Sequence, residues 1–222
     1  MDKITCIRKA CEITDSVFEE MINAFKESEF KTENDVARFI KRKAKKNKVK
    51  LAFPTIVAAG RNAAEIHHKP TDAKLKGLIV IDFGFRYRGY CSDMTRTICI
   101  GSINHEKKKV YEKLLKVQKK SIEETKKGIM YKELDLKARK RLGKLKKKFK
   151  HALGHGVGSK IHQKPDVHPK SKHQAKTGDT ITIEPGLYFG GRYGIRIEDT
   201  VLVKDKGCEV LTKSEKKLIT IR

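Results

Sequence analysis

The stretch 78-LIVIDFGFRYRGYCSDMTRTICIG-101 decides the architecture. It is β-branched and aromatic at both ends and punctuated by glycine, which predicts two strands joined as a hairpin. Each strand carries one acid, Asp82 and Asp93. A turn about Tyr87 and Arg88 pairs the two carboxylates directly, on one face. The pattern occurs a second time in 179-DTITIEPGLYFG-190 and 193-YGIRIEDTVLVK-204, where a turn centred on Gly191 sets Glu184 opposite Glu198. Like charges across a strand pair destabilise a sheet, and acids in apolar strands are costly unless something neutralises them. Cations do so. Four carboxylates with one or two imidazoles form a hard, oxygen-rich set suited to Mn, Fe, Co or Zn in a two-metal site, not a thiolate zinc site. One such acid beside a glycine would read as a turn or edge residue; two opposed pairs in corresponding hairpins read as a site.

Between the hairpins lies 151-HALGHGVGSKIHQKP-165, with three of the eight histidines. His151 and His155 have the helical spacing of a zinc pair, but Gly154, Gly156 and Gly158 make a helix improbable and no H-E-x-x-H pattern is present. A phosphate loop needs a preceding strand and a G-K-[ST] end or a following helix; here a lysine-rich helix precedes and strand-like 158-GSKIH-162 follows. What remains is a glycine-framed nitrogen ligand, His155, with the glycines as clearance for the cluster.

Working outward, residues 4–27 carry apolar side chains at helical spacing, and Thr32 caps a second helix in 33-ENDVARFIKRKAKK-46. Strands follow. From residue 105 the order repeats, helix, helix, strands, with a period of about 100 residues, which predicts one domain over 1–222 built from two αα-then-β halves, about 1–103 and 104–222, meeting at a shared sheet. At 222 residues and 38% hydrophobic content the chain buries a real core. Its 52 Lys and Arg against 27 Asp and Glu give +25, a field that favours polyanions at long range. The lysine runs 41–50 and 137–150 lack interleaved aromatic residues, so they read as solvated helix faces and not as a nucleic-acid surface. Five cysteines without C-x-x-C spacing read as free thiols in a reducing cytoplasm. The N-terminus excludes a secretory signal, and no apolar run approaches the ~20 residues of a membrane span.

Five pieces in this order, 56-IVAAGRNAAEIHH-68, 81-IDFGFRYRGYCSDMTRT-97, 151-HALGHGVGSKIHQKP-165, 182-TIEPGLYF-189 and 194-GIRIEDT-200, resemble metallopeptidases of the pita-bread fold: methionine aminopeptidase, Xaa-Pro aminopeptidase and prolidase. The resemblance covers nearly the whole chain. It implies an α+β pita-bread (creatinase/aminopeptidase) fold, with the duplicated halves around a curved antiparallel sheet. It also implies that Asp82, Asp93, His155, Glu184 and Glu198 bind two divalent metal ions, Mn or Co ahead of Zn or Fe, with Asp93 and Glu198 bridging. His67 and His162 would contact the scissile peptide, and Glu184 would shuttle the proton of the water that the metals activate. The sequences "SDMTRT" and "GIRIED" and the histidine spacing resemble the Xaa-Pro branch, which makes His151 and Arg196 substrate-side residues.

Three positions depart from that branch: Gln163 stands for a Glu, Ile66 for a Pro and His68 for a Gly. The expected activity is removal of the N-terminal residue from peptides, preferably with proline second, as an Xaa-Pro aminopeptidase or dipeptidase. Methionine aminopeptidase is the alternative, because the chain opens at the first catalytic-domain helix without the N-terminal domain usual in the Xaa-Pro branch. A non-enzymatic peptide- or nucleic-acid-binding relative, which lost metal ligands would mark, is the further alternative. The expected partners are peptide substrates, with no membrane, in a monomer or homodimer.

Overall fold

The computed structural model describes all of residues 1–222. The chain opens with helices α1 (Lys3–Lys26) and α2 (Glu33–Lys46), then strands β1 (Lys50–Leu51) and β2 (Ile56–Ala59) and a 3-10 turn, Gly60–Ala64. Strands β3 (Gly77–Phe83), β4 (Phe85–Tyr87), β5 (Tyr90–Cys91) and β6 (Met94–Ile100) complete the first run. Helices α3 (His105–Glu124) and α4 (Tyr131–Leu142) and a second 3-10 segment, Gly143–Lys148, follow. The chain ends in β7 (Gly154–Gly156), β8 (Gln163–Val167), β9 (Thr180–Ile183), β10 (Gly186–Phe189), β11 (Tyr193–Arg196), β12 (Asp199–Val203), β13 (Cys208–Val210) and β14 (Thr220–Ile221).

The helix starts follow local chemistry. Thr32 caps α2 in a reciprocal box with Asp35, whose carboxylate accepts from the Thr32 backbone N–H at 2.8 Å. Each helix pair covers its own sheet. Val17, Phe18, Met21 and Phe39 pack with Ile79, Ile81 and Phe83 of β3, whereas Tyr111, Leu114, Tyr131 and Leu134 pack with Ile181, Ile183 and Val201. The two sheets run β14-β6-β3-β2 and β13-β12-β9-β7-β8; β10-β11 and β1-β4-β5 form two smaller ones. All pairings are antiparallel except β14 with β6.

The halves meet where β6 runs beside residues 193–200. Thr97 Oγ1 donates to the Arg196 carbonyl at 2.8 Å and accepts from its N–H at 3.1 Å, and the Glu198 N–H donates to the Thr95 carbonyl at 3.1 Å. The seam therefore threads the acid-bearing strands of both halves. No disulfide forms among the five cysteines, and no helix is long and apolar enough to cross a membrane.

Candidate metal centre

Four of the five candidate ligands stand where strand pairing stops or bends, and the fifth, Asp82, is still paired to both neighbouring strands. Asp82 is near the end of β3, Asp93 precedes β6, Glu184 follows β9, Glu198 precedes β12, and His155 occupies the middle of the short strand β7, at a register shift against β8. Their backbones stay satisfied outside the ladders: Glu184 N–H donates to the Leu153 carbonyl at 2.8 Å and Thr200 Oγ1 to the Asp93 carbonyl at 2.7 Å. Rigid strands thus aim the acids inward.

The second hairpin has the expected register. Gly186 pairs with Arg196 in β10-β11 and Ile183 with Asp199 in β9-β12, so Glu184 and Glu198 fall opposite each other in the gap between. The first hairpin differs by two residues. Its turn is Arg88-Gly89, both at positive φ (46° and 88°), and Tyr87 pairs with Tyr90. Asp82 consequently pairs with Thr95, and Asp93 lies one diagonal step away, still on the same face. Gly84 makes this offset feasible, since a Cβ there would collide with the Ser92 carbonyl.

All nine residues singled out from the sequence, His67, Asp82, Asp93, His151, His155, His162, Glu184, Arg196 and Glu198, line one cavity of about 210 Å³. Phe53, Ile56, Ile66, Ala152 and Ile161 supply the rest of its wall. The tightest group is Asp93, His155 and Glu198, whose ligand atoms lie within 4.8 Å of one another. Nε2 of His155 is 3.3 Å from Glu184 Oε1 and 3.6 Å from Asp93 Oδ2. Its other nitrogen, Nδ1, is 3.2 Å from the Gly156 carbonyl, which can only accept. Nδ1 therefore carries the proton and Nε2 turns its lone pair to the acids, the tautomer a metal ligand needs. Asp82 is held differently: Oδ2 accepts from Arg196 Nη2 at 2.6 Å, while Oδ1 is buried with no partner.

Burial pushes Asp93 and Glu198 well above the usual carboxylate range, and the neighbouring carboxylates push them further. Burial likewise lifts Glu184 to about 8, against the opposing pull of the Arg196 charge. His155 is pushed down to about 4 by burial and by His162, whose ring centroid is 4.3 Å away. The site thus combines acids that repel as anions, a neutral imidazole and an orphaned carboxylate oxygen. That donor set fits hard divalent cations.

Beside this cluster runs a polar relay. Arg196 Nη1 donates to Tyr188 OH at 2.9 Å and to the Ile66 carbonyl at 3.3 Å, and the Tyr188 hydroxyl is 2.8 Å from His151 Nε2. His151 Nδ1 lies 2.8 Å from the Ala152 carbonyl, so Nε2 is the acceptor for Tyr188. Burial first, and the Arg196 charge second, hold His151 down at about 3, hence neutral.

Sequence reasoning missed several residues that hold the site. Thr95 Oγ1 donates to Glu198 Oε2 at 2.7 Å and accepts from Arg196 Nε at 3.1 Å. Thr182 Oγ1 donates to Glu184 at 3.2 Å and accepts from the His155 N–H at 3.0 Å. Arg96 donates to the Glu198 carbonyl and, at 2.7 Å, to the fully buried Asp199. Alternation puts Thr95 and Thr182 two residues from an acid on the same strand face, but threonine is too common in strands for that to mark them. The glycines of 154–158 also have another task. Cβ atoms at Gly154 and Gly156 would strike the backbones of Thr182 and of Gln163-Lys164, so these glycines let β7 approach its neighbours and do not clear space for the cluster. Gly158 makes room for the Gln163 amide. The expected strand at 158–162 is a bend, and β8 begins at Gln163.

Residues 5–205 match the model of metallopeptidase family M24. The chain is 41% identical to an Xaa-Pro dipeptidase of Pyrococcus horikoshii over 98% of its own length and 63% of the relative's. Against the Xaa-Pro dipeptidase of Pyrococcus furiosus the figures are 40%, 98% and 64%. The solved Xaa-Pro dipeptidase from Bacillus anthracis superposes with a TM-score of 0.93 at 32% identity, over 99% of this chain and 62% of that one. The chain thus spans under two thirds of the length of these relatives, with its curved antiparallel sheets in the pita-bread arrangement of the solved prolidases. A family match over most of the chain, together with relatives at about 40% identity that it covers almost end to end, places this protein in metallopeptidase family M24.

Proposed function

We propose that this chain is a two-metal exopeptidase domain that removes the N-terminal residue of peptides, preferring proline in the second position. The observation that carries the reading is the convergence of Asp82, Asp93, His155, Glu184 and Glu198 on one cavity in which Asp82 Oδ1 is buried without a partner. These five would hold two divalent cations, with manganese or cobalt the best match to a hard carboxylate set. When bound, such cations polarise the scissile carbonyl and make water nucleophilic near neutral pH.

The chain's own residues do the rest. Glu184, fixed by Thr182, accepts a proton from the attacking water and passes it to the leaving nitrogen as the peptide C–N bond breaks. His67 and His162, from two loops that line the cavity, orient the scissile peptide. The Arg196, Tyr188 and His151 relay forms the substrate-side wall, with the guanidinium held in place by Thr95, Tyr188, Asp82 and the Ile66 carbonyl. The Xaa-Pro dipeptidase names of the relatives supply the proline preference. Five unpaired cysteines suit a reducing compartment such as the cytoplasm.

An assay competing Ala-Pro with Met-Ala peptides on manganese- or cobalt-loaded protein tests this reading. A higher kcat/KM for Ala-Pro supports it. Faster turnover of Met-Ala would make the domain a methionine aminopeptidase, and salt-sensitive RNA binding without hydrolysis would make it a binding protein.

A further inference from the structure

Among the fully buried acids outside the cavity, two lie one on the second helix of each run, and the reaction above uses neither. Glu33, the first residue of α2, is 0% exposed and reaches across to the segment 59–71, which carries Ile66 and His67. Its Oε1 accepts from the Ala59 N–H at 2.7 Å and from Asn62 Nδ2 at 2.9 Å. Its Oε2 accepts from the Thr71 N–H at 3.0 Å and hydroxyl at 2.8 Å, and lies 2.8 Å from His68 Nε2. One carboxylate therefore grips both ends of the loop. Between Gly60 and Lys76 only Ala63 and His68 are buried, so this loop has almost no apolar anchor of its own.

Asp135 of α4, also 0% exposed, does the equivalent for 149–153, which carries His151. Asp135 Oδ2 accepts from the Leu153 N–H at 2.8 Å and Oδ1 from Arg139 Nε at 2.5 Å. Arg139 then donates to the carbonyls of Phe149, at 3.0 Å, and His151, at 2.6 Å. The same cavity thus receives one histidine from each clasped loop.

We propose that Glu33 and Asp135 are a duplicated pair of positioning residues that fix His67 and His151 against the peptide substrate. The substrate's identity rests on the exopeptidase reading; the clasps themselves do not. A carboxylate is required because all the groups facing Glu33 are donors or can donate. An amide of the same shape turns an NH2 toward them.

The test uses metal-loaded protein with Glu33→Gln and Asp135→Asn, and the milder Asn62→Ala and Arg139→Lys. For each, kcat and KM on an Ala-Pro peptide, metal stoichiometry and amide hydrogen exchange are measured. Glu33→Gln is expected to speed exchange within 59–71 and to lower kcat/KM about 10- to 100-fold with metal content unchanged. Asp135→Asn is expected to do the same through 149–153 alone. The milder variants move in the same direction by less, and they decide the matter where a carboxylate variant fails to fold. Wild-type kcat/KM in a folded variant, or exchange that rises uniformly over the chain, overturns the proposal. If the unaltered protein cleaves no peptide, the exopeptidase reading fails, and the exchange maps alone decide whether each acid holds its loop.

Discussion

The hydroxyl of Thr95 donates to Glu198 and accepts from Arg196 Nε, so one small side chain keeps a buried carboxyl group and a buried guanidinium in place. Thr95→Val preserves shape and removes both bonds. It is expected to cost about 1–3 kcal/mol in unfolding free energy and to weaken metal binding about 10- to 100-fold, read by denaturant titration and by calorimetric metal titration. Wild-type values in both would show that Glu198 needs no such support. At this scale the charged residues of the cavity were legible, because acids in apolar strands demand an explanation. Uncharged partners such as Thr95 and Thr182 were not, since a threonine in a strand is ordinary. Tyr188 was hidden for the same reason. An aromatic residue in "GLYF" reads as core, and only the fold shows its hydroxyl between Arg196 and His151.

Among the elements, the first hairpin shows what a local pattern leaves open. Strand composition locates β3 and β6 and keeps both aspartates on one face, but a turn displaced by one residue moves every pairing by two. The actual turn needs positive φ at Arg88 and Gly89, and Arg-Gly lacks the Asn-Gly or Asp-Gly signature that would have marked it. In the second hairpin the cluster Gly190-Gly191 signals the loop, and the register was readable.

The grip of α2 on the loop 59–71 has a pH signature. Burial alone would raise the Glu33 carboxyl, but hydrogen bonds from the Ala59 N–H, Asn62, His68 and Thr71 outweigh it and hold the group below its ordinary value. A depressed carboxylate stabilises the fold fully above its unfolded pKa and loses that contribution as pH falls through the lower folded value. The Tm difference between the unaltered protein and Glu33→Gln should therefore be largest near neutrality and shrink in acid. A difference that grew on acidification would contradict this assignment. The titratable groups facing Glu33 are His68 and, beyond it, Glu65.

Across the whole molecule, charge and fold are nearly separate matters. Residues 105–150 hold nineteen Lys and Arg against six Asp and Glu, more than half of the +25 excess, mostly on the outer faces of α3 and α4 and in the second 3-10 segment. Such a surface repels itself, and added salt screens the repulsion. Tm is expected to rise as NaCl goes from about 10 mM to a few hundred millimolar, where the Debye length falls below about 10 Å; a falling Tm would mean that surface ion pairs outweigh the repulsion. The repeated order of helix pair and strands was visible in the sequence because it depends only on periodicity. How the runs meet was not, because the seam is made by the Thr97 hydroxyl on the Arg196 backbone and by the Thr95 and Glu198 backbones, which carry no compositional signal.

In the function proposed above, five side chains from both runs hold two cations that permit peptide hydrolysis. The most direct measurement titrates manganese into metal-free protein and follows Ala-Pro cleavage in the same samples, with Asp93→Ala alongside. Two ions are expected to bind per chain, with activity that appears as they bind, and Asp93→Ala is expected to lose both binding and cleavage. A titration that ends with no ion bound, or full cleavage by Asp93→Ala, would contradict this.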